Sequence, residues 1–139
     1  MSRLLSESTN NLMRLVGIGT DIVEIERVER MLEKHGDFYR RRVFTPNEEE
    51  YCSKGRKSAE RYAARWAVKE AVMKALGTGW TKEVNWTEIE TTHDAAGKPV
   101  LTLLGSAKAY AEKLGISEWQ ITLSHCDRYA VAFAVAVGG

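Results

Sequence analysis

Charged residues and glycines are closely spaced in one segment of the chain, RWAVKEAVMKALGTG. Its candidate functional residues, in a pattern typical of an amphipathic helix that ends in a glycine turn, are Arg65, Lys69, Glu70, Lys74, Gly77, Thr78 and Gly79. One carboxylate among three cations suits a metal-bound phosphate, because the carboxylate can hold the ion while the cations neutralise phosphate oxygens. The same pattern also fits a surface helix with ion pairs one turn apart and a glycine cap.

Two further polar residues stand at the ends of apolar runs that predict strands. Asp21 ends a glycine-containing run, where a carboxylate would be costly to bury without a partner. It could ligate a metal, or it could be the N-cap of the helix that follows. His125 ends a later run just before a tight link, where it could bind a ligand or be a hydrogen-bonded structural residue.

The composition of the whole chain limits the classes of function. The 139 residues fit a single domain with a sizeable core. Lys and Arg number 20 against 19 Asp and Glu, and a net charge of +1 argues against a general polyanion-binding protein. Between Lys54 and Lys74, however, basic residues clearly outnumber acidic ones, so this segment could bind an anion or form a solvated face.

The cysteines and the absence of long apolar runs indicate the compartment. Cys52 and Cys126 have no paired spacing, which argues against a metal finger or a disulfide framework and favours a reducing cytoplasm. No run reaches transmembrane length, and the N-terminus lacks the apolar core of a secretory signal. We therefore expect a cytoplasmic protein without membrane contact, with a flexible extension over residues 1–12 and one domain over 13–139.

Periodicity predicts helices and strands that alternate irregularly along the chain. Helices are expected over 24–34, from a Thr45 cap to about 52, from a Ser58 cap to Gly77, and over 106–114; strands over 15–22, 85–92, 100–104, 119–124 and 129–137. The last run, YAVAFAVAV, is apolar on both faces, so it should lie centrally or in a subunit interface. The expected fold class is α+β, an antiparallel-rich sheet with helices packed against it.

Three separated pieces of the chain together resemble one known family. They are GIGTDIVE from Gly17, RWAVKEA with KALGTG from Arg65, and LSH with YAVA from Leu123. In residue types, order and spacing they resemble the short, single-half 4′-phosphopantetheinyl transferases, the holo-[acyl-carrier-protein] synthase family. The resemblance covers nearly the whole chain after the N-terminal extension. It implies Mg²⁺-dependent transfer of 4′-phosphopantetheine from coenzyme A to a serine of apo-acyl carrier protein, with release of adenosine 3′,5′-bisphosphate, in fatty acid biosynthesis.

The resemblance also implies roles for individual residues. Asp21 and Glu70 match the magnesium ligands, and Lys74 matches a lysine near the transferred phosphate. Residues that match or adjoin those holding the 3′-phosphate of coenzyme A are Arg56, Lys57, Arg65 and His125. Lys69 belongs to the same signature with a role that could be partly structural, and the turn Gly77-Thr78-Gly79 can offer N–H donors. It stays open whether a side chain or a water oriented by Glu70 or Asp21 accepts the serine proton.

Two residues that depart from the family pattern, and the length of the chain, lead to further expectations. Val23 stands where longer, two-half relatives place a third metal carboxylate, so water should complete the coordination here. Trp66 replaces a usual Phe, which should not alter the chemistry. A chain with only one half implies that the active sites lie between subunits. The resemblance further implies that the subunits form a homotrimer. Acyl carrier proteins are acidic, so Arg27 and the run Arg40 to Arg42 form a reasonable docking face.

Two other functions were weighed against transfer. A non-catalytic coenzyme A or nucleotide-binding module would keep the basic residues, but it would not need both Asp21 and Glu70. A nucleic-acid-binding domain would use the basic segment from Lys54 to Lys74, and the near-neutral net charge argues against it.

Overall fold

The fold was described from a computed structural model that covers residues 12–79 and 83–139. In chain order its elements are β1 (Arg14–Glu24), α1 (Ile25–Val43), α2 (Pro46–Cys52), α3 (Ser58–Leu76), a 3₁₀ turn (Trp86–Glu88), β2 (Ile89–His93), β3 (Pro99–Leu103), α4 (Gly105–Lys113), β4 (Glu118–His125) and β5 (Tyr129–Gly138). The α+β class predicted from the sequence is confirmed. The flexible extension predicted for residues 1–12 lies outside the described residues, apart from Leu12.

The strands form two antiparallel sheets rather than one. The larger sheet has the order β1-β5-β4, and β2 pairs with β3 in a separate hairpin. The apolar run of β5 is therefore central, as expected. Its register aligns Asp21 of β1 with Ala132, which in turn pairs with Leu123 of β4.

One face of the larger sheet carries small side chains and packs against α3. Its buried alanines are Ala130, Ala132, Ala134 and Ala136. On β1, a Cβ at Gly17 or Gly19 would overlap the backbone of α3 at Ala75 or Ala71. The two glycines are thus required for close helix–strand packing, as their position in the sequence predicted.

On β1 and β5 the opposite face of the same sheet is largely apolar and open to solvent, whereas on β4 it carries the polar residues Gln120, Thr122 and Ser124. Side chains alternate along a strand, so the residues between the alanines of β5 and between the glycines of β1 point away from α3. Among them Ile22 is 64% and Phe133 46% exposed, and Leu15, Ile18 and Tyr129 are exposed as well. Such a contiguous apolar face is typical of a surface that another protein chain covers.

The first half of the molecule differs from the predicted elements at two places. Helix α1 does not end near Gly36, because that residue makes a kink (φ 49°, ψ −125°) and the helix resumes to Val43. A glycine can take this left-handed φ without strain, so here it bends the helix rather than ending it. The predicted Ser58 cap is also wrong: Lys57 occupies the N-cap position and Ser58 is already helical.

The predicted strand over 85–92 starts too early. Trp86–Glu88 forms a 3₁₀ turn in which Asn85 N–H donates to Glu88 Oε1 at 3.1 Å, and β2 begins only at Ile89. The alternation of polar and apolar residues continues through this turn, so the sequence pattern alone does not distinguish the turn from the strand. The consequence for the site is that Trp86 turns toward α3.

Glu48 connects helix α2 to the rest of the fold through buried hydrogen bonds. The predicted capping box is present: Thr45 Oγ1 accepts from Glu48 N–H, and Glu48 Oε1 accepts from Thr45 N–H. Glu48 also accepts from Lys69 Nζ at 2.7 Å and from the Thr91 N–H at 3.0 Å. A single buried carboxylate thereby ties together α2, α3 and β2.

Candidate active site

Asp21 and Lys74 form an accessible ion pair where β1 crosses α3. Asp21 shares the α3-facing side of β1 with Gly17 and Gly19, which brings its carboxylate next to the helix. Lys74 Nζ donates to Asp21 Oδ1 at 3.1 Å and to the Thr20 carbonyl at 2.9 Å. The Asp21 side chain is 17% exposed and that of Lys74 55%. Asp21 is not an N-cap, because Glu24 holds that position in α1.

Glu70 adds a second carboxylate one helical turn before Lys74. Residues four apart on a helix have neighbouring side chains, so Glu70 lies on the Lys74 side of α3. Its Oε1 accepts a hydrogen bond from Trp86 Nε1 at 3.1 Å. The Trp86 ring packs against Trp66 with 5.3 Å between centroids, which holds the donor in place. Sequence reasoning missed this contact, since nothing in the spacing links residue 86 to residue 70.

The donor set of this site suits magnesium in particular. Within residues 12–79 and 83–139, no group of three or more His, Cys, Asp or Glu side chains could hold a metal ion. Mg²⁺ binds proteins through one or two carboxylates, and it takes its remaining oxygens from water and substrate phosphates. Two carboxylates beside an exposed lysine therefore fit a magnesium ion that binds together with a phosphate ligand.

The glycine turn after α3 caps the helix as predicted, but its first two N–H groups have a different role from the one expected. Gly77 has φ 76° and closes the helix as a left-handed C-cap, as expected. Its N–H donates to the Lys74 carbonyl, and the Thr78 N–H donates to the Met73 carbonyl, both at 3.1 Å. These two N–H groups are thus used by the helix itself, which corrects the expectation that they are offered to a ligand. Gly79 follows with φ 63°.

Lys69 lies in the core, away from the space that a ligand can reach. Its side chain is fully buried, and its ammonium donates to Glu48 Oε1, to the Trp86 carbonyl at 2.8 Å and to the Ile89 carbonyl. Burial lowers the pKa of Lys69, and the Glu48 carboxylate opposes this shift. An ammonium group has three N–H donors, and all are used here. Among the predicted coenzyme A-binding residues, Lys69 thus has the surroundings of a structural residue.

Arg65 points to the α2 and β2 side of α3. Its Cζ lies 4.2 Å from the ring centroid of Tyr51, and its Nη2 lies 3.3 and 3.4 Å from the two ring nitrogens of His93. Burial and the neighbouring Arg65 guanidinium both lower the pKa of His93. The guanidinium is therefore enclosed by an aromatic ring and an imidazole.

His125 lies at the other end of α3 from the two carboxylates. Its Nδ1 is 3.6 Å from Glu60 Oε2. Glu60 precedes Glu70 by ten residues, which corresponds to roughly 15 Å along a helix axis. Glu60 and Arg65 are also about 140° apart around that axis, so His125 and the Arg65 side chain lie on different sides of α3.

The loop before α3 lies at this same end of the helix as His125. Arg56 and Lys57 are exposed residues of the loop, immediately before Ser58. The Arg61 guanidinium donates to the Lys54 carbonyl and so ties the loop to α3. Apart from Arg65, Lys69 and the glycine turn, the predicted site residues thus form two groups within one chain. An acidic group with Lys74 lies near the C-terminal end of α3, and a basic group with His125 lies near its N-terminal end.

Fold and site together define a small α+β enzyme of the phosphate-transferring kind, with a two-carboxylate site and a separate basic group. The sequence of residues 17–134 matches the family model of the 4′-phosphopantetheinyl transferase superfamily, and the chain belongs to this family. The resemblance inferred from the three motifs is therefore confirmed.

Individual relatives match this chain along almost their full length. The chain is 48% identical over 120 residues to the holo-[acyl-carrier-protein] synthase of Ruminiclostridium cellulolyticum, covering 85% of this chain and 89% of that one. The crystal structure of the Neisseria meningitidis holo-[acyl-carrier-protein] synthase is 36% identical, with a TM-score of 0.82 over 88% of this chain and 98% of that one. A Bacillus anthracis synthase, crystallised in complex with CoA (3′,5′-ADP), is 36% identical, with a TM-score of 0.75 over 92% and 100% of the two chains.

Proposed function

We propose that this enzyme transfers 4′-phosphopantetheine from coenzyme A to a serine of apo-acyl carrier protein, with Mg²⁺ and with release of adenosine 3′,5′-bisphosphate. The observation that carries the proposal is the cluster of Asp21, Lys74 and Glu70 on an accessible face where β1 crosses α3. Relatives named holo-[acyl-carrier-protein] synthase, one of them crystallised with coenzyme A, support the substrate pair. The product would serve fatty acid biosynthesis.

In the reaction, the serine hydroxyl gives its proton to a base, a side chain or a water oriented by Glu70 or Asp21, as its oxygen attacks the β-phosphorus of coenzyme A. The bond from that phosphorus to the bridging oxygen breaks, and adenosine 3′,5′-bisphosphate leaves. Asp21 and Glu70 would hold the magnesium ion, which neutralises charge on the pyrophosphate. Lys74 is exposed enough to turn from Asp21 toward the phosphates and adds a second positive charge. Trp86 fixes one Glu70 oxygen, which orients the carboxylate before the ligand arrives.

In an oligomer, the basic group at the N-terminal end of α3 would bind a coenzyme A molecule whose pyrophosphate lies at the acidic group of a neighbouring subunit. His125, Arg56 and Lys57 supply cationic or hydrogen-bonding groups for its 3′-phosphate. Within one chain this group lies roughly 15 Å along α3 from Glu70, so one coenzyme A would have to span that length to place its 3′-phosphate at one group and its pyrophosphate at the other. A site assembled from two subunits brings the groups together.

The open apolar face of β1 and β5 supports such an assembly. Ile22 and Phe133 are large, exposed side chains on one continuous face, which burial against another copy would remove from water. Contacts that join different surfaces of identical subunits close into rings when the rotation permits. We propose a homotrimer with three inter-subunit sites.

A separate surface on α1 suits the acidic carrier protein. Arg27 and Arg41 are exposed there, and the same helix lines an apolar cavity of about 250 Å³ that Arg42 borders. Its lining includes Met31 and Phe38, of which Phe38 is strongly exposed. Apolar side chains bordered by arginines fit an acidic partner that also presents apolar residues.

The proposed location is the cytoplasm. Cys52 and Cys126 are both free thiols, which suits a reducing compartment. In the part of the chain that the structure describes, no helix combines the length and apolarity needed to cross a membrane.

Mass spectrometry tests the proposed reaction. Apo-carrier protein incubated with coenzyme A, Mg²⁺ and this enzyme should gain the mass of one phosphopantetheine, and the gain should vanish without Mg²⁺ or with Asp21→Ala. The alternative, a non-catalytic coenzyme A-binding module, predicts binding of coenzyme A without any change in the mass of the carrier protein.

A further inference from the structure

A short 3₁₀ turn carries the tryptophan that contacts Glu70. Trp86 Nε1 donates to Glu70 Oε1 at 3.1 Å, and the turn comprises only Trp86–Glu88. The Trp86 carbonyl accepts from Lys69 Nζ at 2.8 Å and from the Ile89 N–H, so it keeps one partner if the other is lost. A turn of this length makes few hydrogen bonds of its own, and outside contacts are needed to hold it in one position. The direction of the indole N–H therefore depends on what holds the turn.

Glu88 connects this turn to the N-terminal end of α4. Its Oε1 accepts from the Asn85 N–H at 3.1 Å, and its Oε2 accepts from the Ser106 N–H at 2.7 Å. The Ser106 hydroxyl lies 2.9 and 3.0 Å from the two carboxylate oxygens. The Leu104 N–H donates to the Glu88 carbonyl at 2.8 Å. Since Leu104, the N-cap residue of α4, supplies no side-chain hydrogen bond, Glu88 takes over the capping of that helix.

The backbone at the start of α4 has the shape that this carboxylate requires. A Cβ at Gly105 would overlap Glu88 Oε2, and Gly105 has φ 54°, which favours glycine. A carboxylate at a helix N-terminus also interacts favourably with the helix dipole. The Glu88 side chain thus joins α4 to both ends of the turn that contains Trp86.

We propose that Glu88 and Ser106 are positioning residues for Glu70, and that they act through the indole N–H of Trp86. This inference rests on the proposed function, in which Glu70 is a magnesium ligand. Mg²⁺ demands near-ideal octahedral geometry, so a carboxylate that is already oriented binds it more tightly. Loss of a group that orients a metal ligand lowers metal affinity by about ten- to a hundredfold. The competing interpretation gives Glu88 a structural role only, as the cap of α4.

The first experiment needs neither metal nor activity. The chain has four tryptophans, and the indole N–H signal of Trp86 in the NMR spectrum of isotope-labelled protein is identified by its loss in Trp86→Phe. In Glu88→Ala and Ser106→Ala we expect this signal to shift and its exchange with solvent to become about tenfold faster, because the hydrogen bond to Glu70 opens more often. A Trp86 signal that Glu88→Ala leaves unchanged would overturn the proposal.

Ala111→Gly is the control for lost stability. It lies in the same helix, and a glycine inside a helix is destabilising without removing any contact of Glu88. Its melting temperature should fall as in Glu88→Ala, while the Trp86 signal keeps its wild-type shift.

The second experiment measures the dissociation constant of Mg²⁺ in the presence of coenzyme A by calorimetry. It should rise about tenfold or more in Trp86→Phe, about three- to tenfold in Glu88→Ala, and not at all in Ala111→Gly. If Glu88 acts through Trp86, the double variant should bind Mg²⁺ no more weakly than Trp86→Phe alone. Effects that simply add, or a Glu88→Ala protein with a lowered melting temperature and wild-type Mg²⁺ binding, would refute the proposal.

The proposed function and the positioning inference can fail separately. A wild type that binds Mg²⁺ with coenzyme A but transfers no phosphopantetheine would refute the proposed function, and the Mg²⁺ dissociation constants of the variants would still decide the inference. A wild type that binds no Mg²⁺, or whose Mg²⁺ binding is unaffected by Glu70→Ala, would refute the inference, because Glu70 would then not be a ligand.

Discussion

Two lysines of α3, five residues apart, form ion pairs that differ in their surroundings. Lys69 and Glu48 are both fully buried, 2.7 Å apart, and backbone carbonyls take the remaining protons of the ammonium. Lys74 and Asp21 are 3.1 Å apart and partly exposed. The first pair has no capacity left for a ligand, whereas the second can exchange its partner for a phosphate. Charge and spacing therefore do not distinguish a structural lysine from a functional one, but burial and hydrogen-bond saturation do.

The largest effect should come from removing the carboxylates of the exposed site. Asp21→Ala and Glu70→Ala should each lower kcat/KM by about a thousandfold or more, because a metal that stabilises the transition state contributes several kcal/mol. Their melting temperatures should stay near that of wild type, with Glu112→Ala on the exposed face of α4 as control. Wild-type turnover at limiting Mg²⁺ in either variant would remove that residue from the site.

Breaking the assembly should have the next largest effect. Phe133→Glu places a charge in the proposed interface, so we expect monomers by light scattering and a loss of activity of about a hundredfold, since burying an unpaired charge costs several kcal/mol. Val100→Glu, an exposed apolar residue of the β2–β3 hairpin, is the matched control and should stay active. A fully active monomeric Phe133→Glu enzyme would mean that each chain holds a complete site.

Breaking the buried Lys69–Glu48 pair should lower the stability of the fold rather than the catalytic activity. Lys69→Met leaves Glu48 buried and unpaired, so the free energy of unfolding should fall by about 3–5 kcal/mol in urea denaturation. Replacing both partners, as in Lys69→Met with Glu48→Leu, should recover only part of that loss, because the buried Thr45 and Thr91 N–H groups then lose their acceptor. Turnover per folded molecule should remain close to wild type. A stable Lys69→Met enzyme with weakened coenzyme A binding would instead give Lys69 the ligand-binding role that the family signature implies.

The smallest effect is expected at the docking surface. Arg41→Glu should raise KM for carrier protein up to about tenfold and reduce its dependence on salt, because charges at the rim of an interface mainly alter encounter rates. KM for coenzyme A should not change. Lys113→Glu on α4 serves as the charge-matched control. If Arg41→Glu leaves KM for the carrier protein and its salt dependence unaltered, the carrier protein docks on another surface.

Local patterns predicted much of this fold because local physics determines those parts. The capping box at Thr45 and the C-cap at Gly77 follow from residue types a few positions apart, and both are present. The glycines of β1 correctly predicted a close backbone neighbour. The identity of that neighbour, α3 at Ala71 and Ala75, depends on tertiary packing that no local pattern contains.

The surroundings of individual site residues were harder to predict, because they depend on contacts between distant segments. Trp86 reaches Glu70 only because a 3₁₀ turn interrupts the expected strand. Arg65 is enclosed by Tyr51 and His93, which come from two other elements. The family signature indicated candidate site residues, but not which of them the core would bury.

In the proposed assembly, the active site combines Glu70 of one subunit with His125 of its neighbour. The direct test mixes Glu70→Ala and His125→Ala proteins, each nearly inactive, after dissociation, and confirms mixed oligomers by native mass spectrometry before phosphopantetheine transfer is measured. At equal amounts, about a quarter of the interfaces in a randomly mixed ring should pair an intact Glu70 with an intact His125, so activity should recover to about that fraction. Mixed oligomers that stay as inactive as their parents would contradict the account and place the complete site within one chain.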